Sequence, residues 1–181
     1  MNITNEALEI LNSLLSDVSL DDVSSDSQGF TELQDGYYLT EVESAELTTS
    51  KSSGQPMVSF RLSIVEDGVS VGFENDDIVF NQIKKSKGRK VFKHFVLKDT
   101  GSIKRFASDM LKFVGDDGES LLPKEAFMTS ETLVDALDIL VGMRIYIQLD
   151  TTEKDDGTKS QWTNFISWKR VAELGLPQWQ L

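Results

Sequence analysis

Cysteine is absent from the 181 residues, which excludes disulfides and thiolate metal ligation. Histidine occurs once, at His94. A zinc site would therefore need carboxylates for nearly every ligand, and a Ser-His-Asp arrangement has one candidate base. No apolar run approaches the roughly 18 residues that a membrane helix needs. The opening MNITNEALEILNSLL is acidic where a secretion signal would be positive. These absences predict a soluble, cytoplasmic protein with no membrane partner and no cofactor.

Basic residues are also missing from the first 50 positions. That stretch holds eleven acids (Glu6, Glu9, Asp17, Asp21, Asp22, Asp26, Glu32, Asp35, Glu41, Glu43 and Glu46). The net charge of −12 therefore conceals a segregated pattern, because all 18 basic residues fall in 51–181. Between 84 and 112 there are ten (Lys84, Lys85, Lys87, Arg89, Lys90, Lys93, Lys98, Lys104, Arg105 and Lys112) against Asp99 and Asp109. Charge segregated in this way speaks about partners, and a basic cluster in an acidic chain reads as an electrostatic footprint for nucleic acid.

Residues 4–15 space Ala7, Leu8, Leu11, Leu14 and Leu15 as on a short amphipathic helix, and 16–28, rich in Ser and Asp, reads as a linker. Three segments are expected: an acidic arm at 1–28, a folded domain at 29–172 and a carboxy-terminal tail at 173–181. Within the domain, 37–48, 57–66 and 89–97 read as strands; 57–66 alternates cleanly, with Val58, Phe60, Leu62 and Ile64 on one face. Residues 67–87 are ambiguous. Helices are expected at about 102–114, with Ser102 as N-cap, and at about 130–141. Strands follow at 143–152 and 160–171, joined by the KDDGTK turn.

Three strands, a helical interlude and a two-strand hairpin give the order of a five-stranded OB barrel. The predicted class is therefore mainly β with two helices, a helical insertion between strands 3 and 4, and a short amino-terminal helix. In such a barrel ligands lie across strands 2 and 3 and between the 1–2 and 4–5 loops, here TSKSSGQP and EKDDGTKS.

The run from Gly29-Phe30 through Asp35-Gly36-Tyr37, Ser53-Gly54, Met57 and Gly88-Arg89, with Gly142, MRIYIQLD and the aromatic-rich last strand, carries a resemblance. Over about residues 28–170 the chain resembles small phage proteins long catalogued as a domain of unknown function. Several of these are OB-fold single-stranded-DNA-binding proteins of replication and recombination cassettes. The acidic arm, the 67–87 insert and the tail LGLPQWQL depart from that pattern. The resemblance implies sequence-independent binding of single-stranded DNA in phage replication or recombination, with phage or host replication proteins as further partners; a homo-oligomer is compatible with it.

Such binding needs cations for phosphates and exposed rings for base stacking, each stacked base contributing roughly 1–3 kcal/mol. The candidates are Arg61, Lys84, Lys85, Lys87, Arg89, Lys90, Phe92, Lys93, His94, Arg144, Tyr146 and Trp162. Alternation puts Lys90, Phe92 and His94 on one face of strand 3 and Arg89, Val91, Lys93 and Phe95 on the other, without saying which looks out. Tyr146 lies opposite the apolar set Met143, Ile145, Ile147 and Leu149, which makes it the better-argued stacking ring.

Asp150, Glu153, Asp155 and Asp156 read as hairpin-turn chemistry rather than a cation site. Glu74, Asp76 and Asp77 beside Lys84 and Lys85 lack the carboxylate-x-lysine pairing of a nuclease, so an enzyme is not expected. The alternative function is a protein-interaction module on the same barrel, a recombination mediator or host-factor inhibitor without intrinsic DNA binding. In the single-strand reading, the acidic arm competes with DNA for the basic groove; the alternatives are that its helix docks on its own barrel or on a partner protein.

Overall fold

Alternating apolar residues build seven strands among the described residues, and their pairing partners decide which faces are buried. The computed structural model describes residues 32–74, 77–115 and 118–177. The chain divides into two units, Met1–Glu32 and Leu33–Leu181, and nearly all of the described residues belong to the second. The helix expected at 4–15, the linker at 16–28 and the Gly29-Phe30 opening lie outside the described residues.

The elements are β1 (Gly36–Thr49), β2 (Pro56–Ile64), β3 (Gly68–Glu74), β4 (Asp77–Ile83), β5 (Lys90–Val96), α1 (Thr100–Met110), α2 (Ser130–Leu140), β6 (Arg144–Glu153), β7 (Lys159–Phe165) and α3 (Trp168–Glu173). A 3-10 turn, Lys124–Phe127, precedes α2. The described residues are thus mainly β, with three α-helices and an open antiparallel sheet of seven strands. The expected closed five-stranded barrel is not formed: among the described residues no ladder joins β5 to β7.

The two additional strands come from the ambiguous 67–87 segment. β1 pairs with β2 from Thr40↔Ile64 to Thr49↔Pro56, and with β3 at Tyr37↔Val69. β2 and β3 thus follow one another along the same side of β1, and β4 and β5 follow one another along their far side. The insert is an outward extension of the β2–β5 ribbon. It bends where Asp67 Oδ1 accepts the backbone N–H groups of Ser86 and Lys87 at 2.9 and 3.0 Å, while Ser86 Oγ accepts from Gly68 N at 2.9 Å. Gly68 is required at this bend, because a Cβ there would collide with the Tyr38 ring.

The inner face of the sheet carries Tyr38, Val42, Phe60, Leu62, Ile145 and Ile147, and α1 and α2 close over it with Phe106, Met110, Leu137 and Leu140. Phe60 meets Phe165 edge-on with ring centroids 5.6 Å apart, and Phe113 meets Phe165 at 5.3 Å. Each fully buried ring of this kind contributes roughly 1.5–3 kcal/mol. α1 begins one turn earlier than expected. Asp99 is its N-cap, accepting Ser102 N at 2.7 Å, while Ser102 Oγ accepts Asp99 N at 3.0 Å in a capping box.

A second apolar cluster lies on the opposite face. Leu39 and Tyr146 meet Ile166, Val171, Leu174 and Leu176 there. The strand expected at 160–171 ends at Phe165, because Ser167 caps a helix by accepting Arg170 N at 3.3 Å. Residues 168–176, partly assigned to a tail, therefore pack onto the sheet.

Candidate nucleic-acid interface

α3 and the residues after it cover the outer face only near the start of β1 and β6. Further along, none of the described residues covers the outer face of β1, β2 and β5. Register places Arg61 opposite Phe92, Ser59 opposite His94 and Ser63 opposite Lys90. Along β5 the exposed set is Lys90, Phe92 and His94, which settles which face looks out. Phe92 is 57% exposed, far more than a core ring in a strand. Phe95, on the other face, packs edge-on against Phe106 at 5.2 Å.

Lys93 departs from the expected role. Alternation groups it with Val91 and Phe95 on the inner side. Its stem passes the rings of Phe95 and Phe165, with the ammonium 4.6 and 5.2 Å from their centroids. Its Nζ donates to the Thr163 carbonyl of β7 at 2.5 Å and lies 3.8 Å from Asp109 Oδ2. Burial pulls the Lys93 pKa below the usual lysine value, and Asp109 opposes that pull. Lys112 holds Asp109 from the other side and donates to the Phe165 carbonyl at 2.9 Å. Lys93 thus bridges the open seam between β5 and β7 and is unavailable to phosphate.

Tyr146 is corrected as well. Met143, Ile145, Ile147 and Leu149 do face the inner core, so the alternation holds, but α3 covers the opposite face too. Tyr146 is 4% exposed, and burial pushes its phenol up to about 12, with Glu66 adding to the shift. A buried ring cannot stack on a base.

The remaining candidates are accessible to different degrees. Lys84, Lys85 and Lys87 are exposed in the turn between β4 and β5; Lys85 has φ 63°, a left-handed conformation unusual for a lysine. Arg89 is half-buried beside this turn. Arg144 pairs with Glu41 at 3.5 Å. Trp162, on β7, is 57% exposed, and its indole N–H donates to Thr152 Oγ1 at 2.9 Å. Trp162 directly precedes the Thr163 carbonyl that Lys93 grips, so it stands at the seam. Trp168 opens α3 and is half-buried in the second cluster.

Sequence reasoning missed Glu43. It occupies a bulge between Val42 and Ser44, which turns both Glu43 and Ser44 outward and returns Ala45 to the core. From there its carboxylate pairs with Arg61 Nε at 3.0 Å and with the Lys90 ammonium. Lys90 and Arg61 hold the Glu43 carboxyl below the usual carboxylate range. The ten-base cluster is therefore divided in space: Lys93 and Lys112 are used at the seam, Lys90 is held by Glu43, and the turn lysines are solvated. The Asp150–Asp156 region is a hairpin turn, with Asp156 Oδ1 accepting Thr158 N at 2.9 Å.

A family model described as "Protein of unknown function (DUF669)" matches residues 20–113. The chain belongs to that family. No curated protein matches the sequence. The DUF669 match runs through β1–β5 and α1, so it contains the open face with Arg61, Lys90, Phe92 and His94 and the lysine turn. Trp162 and Arg144 lie beyond it. No helix among the described residues is long and apolar enough to cross a membrane.

Proposed function

We propose that this protein binds single-stranded DNA without sequence preference, and that the open face of β1, β2 and β5 is the binding surface. The observation that carries the reading is Phe92. It is an exposed ring, opposite Arg61 in register and flanked on its own strand by Lys90 and His94. Rings beside cations are what a base and its phosphate require of a sequence-tolerant platform. Trp162 at the seam supplies a second ring, and Lys84, Lys85 and Lys87 extend the positive surface. Tyr146 and Lys93 have no part in the surface.

The strand order supports an OB-like ancestry opened at one seam. β1, β2, β5, β6 and β7 correspond to its five strands, with α1 and α2 between the third and fourth and the β3–β4 ribbon as an extended 2–3 hairpin. A phage replication or recombination setting, a location in the host cytoplasm and a non-enzymatic role accompany this reading.

Titrating fluorescent oligo-dT at several salt concentrations tests it. The logarithm of affinity should fall linearly with the logarithm of salt concentration, at a slope set by the number of phosphate contacts. A second reading has its own observation: Glu43 engages both Arg61 and Lys90, which leaves Phe92 as an apolar anchor for a protein partner. Absence of oligo-dT binding at low salt would favour that module and remove the first reading.

A further inference from the structure

The ribbon formed by β3 and β4 ends in exposed apolar residues. Pairing is direct, Val71↔Phe80 and Phe73↔Ile78, so Val71, Phe73, Ile78 and Phe80 share one face. Val71 packs into the second cluster, but Phe73 is 72% exposed, and Ile78 and Phe80 are also open. Among the described residues β4 pairs with β3 alone, so its outer edge presents every second backbone N–H and C=O without a strand partner.

Such edges are ordinarily guarded by lysine, proline or a bulge. The other two edges of this sheet are guarded: Lys90 and Lys93 lie on β5, and Lys159 lies on β7. β4 reads Asp-Ile-Val-Phe-Asn-Gln-Ile, with no lysine, no proline and no bulge in its pairing with β3. Its charges sit at its ends and have opposite sign, Asp77 at the start and Lys84 and Lys85 just past Ile83. When a strand with that arrangement meets itself antiparallel, the acidic end of each copy lies beside the basic end of the other. Centred on Phe80, the pairing also joins the two exposed apolar faces into one stripe.

The geometry points to β4 as a self-pairing edge, through which two copies of this chain form an antiparallel, two-fold symmetric dimer by continuing the sheet. The isologous arrangement makes each contact occur twice. This inference goes beyond the reading of the DNA surface and does not depend on it: Phe92 lies outside β4, and although Lys84 and Lys85 belong to both, self-pairing is measured without DNA.

Sedimentation velocity of the full chain over a concentration series, without DNA, tests it. The native chain should show a monomer–dimer equilibrium. Phe80→Lys should weaken the dimer at least about tenfold, because a charge must then enter the stripe. Asp77→Lys alone and Lys84→Glu with Lys85→Glu should each weaken it, and the three changes together in one chain should restore it. Phe92→Lys should leave it unchanged. Circular dichroism of every variant reports that the sheet is intact. A native chain that is monomeric throughout overturns the inference. So does a dimer indifferent to Phe80→Lys and to the charge exchange.

Discussion

Glu43 and Arg61 form an ion pair at 3.0 Å across β1 and β2, on the face where Phe92 stands free. Alternation with Val42 puts the carboxylate on that face, and the bulge turns Ser44 to the same side before Ala45 returns to the core. The second partner of Glu43 is Lys90, so one acid restrains two of the cations nearest the exposed ring. A phosphate approaching this face must compete with Glu43 for both.

Glu43→Gln should therefore raise affinity for oligo-dT and steepen its salt dependence by about one to two phosphate contacts. Fluorescence anisotropy at several salt concentrations measures both quantities. Exposed ion pairs contribute little to stability, so the melting temperature should barely move.

Phe92→Ala and Trp162→Ala should each weaken oligo-dT binding by roughly 1–3 kcal/mol. Neither ring is in a core, so denaturant midpoints should stay close to that of the native chain. Equal losses in stability and affinity would mean that the rings support the sheet and not the ligand.

For Tyr146→Ala the order of effects reverses. Removing a large buried ring between β6 and α3 should cost about 3–5 kcal/mol of stability, read from urea unfolding. The Tyr38 and Tyr146 phenols both stand at about 12, raised above 10.0 chiefly by burial. The folded state therefore binds these protons more tightly than the unfolded chain. Their contribution is complete below pH 10.0 and is lost as the pH rises towards about 12, so alkaline unfolding should accompany the appearance of phenolate absorbance.

Lys93→Met should leave oligo-dT affinity unchanged in the folded protein, because the ammonium faces the seam. It leaves the Thr163 carbonyl and part of the Asp109 carboxylate without their donor, a loss of about 1–3 kcal/mol by chemical denaturation. A marked loss of DNA affinity with stability intact would return Lys93 to the binding surface.

Asp67→Asn tests the bend between β2 and β3. The Lys87 and Ser86 N–H groups hold the Asp67 carboxyl below its ordinary 3.8, so the folded state prefers the ionised form. That preference is complete above the unfolded carboxylate pKa of about 3.9 and is lost as the pH falls through the lower folded value. The native chain should thus be more stable than Asp67→Asn at neutral pH, and the difference should close in acid, as measured by thermal unfolding across pH.

Much of the sheet was legible because one buried face imposes a period of two. β2 is the plainest case, with Val58, Phe60, Leu62 and Ile64 all in the core. The same logic identified Lys93 as a neighbour of Val91 and Phe95, but charge drew it into the binding set. The β3–β4 ribbon was obscure because only part of one face is covered, so its pattern does not alternate cleanly. α3 was hidden by the aromatic-rich strand before it, although Ser167 at its start and Gly175, with φ 69°, past its end are ordinary helix punctuation. Its misreading exposed Tyr146 on paper. The Glu43 bulge left no mark at all, since a one-residue slip in β1 depends on its pairing with β2.

The Tyr38↔Ile147 pairing has a consequence for how relatives should be cut and compared. β6 lies along the first six residues of β1, from Gly36 to Glu41, yet it begins 31 positions after the family match ends at 113. A fragment bounded by that match would leave an edge of β1 bare and remove Phe165 from beside Phe60. The matched stretch is therefore shorter than the stretch that must be synthesised before the sheet can form. Expression boundaries drawn from the match alone should yield insoluble or unfolded material.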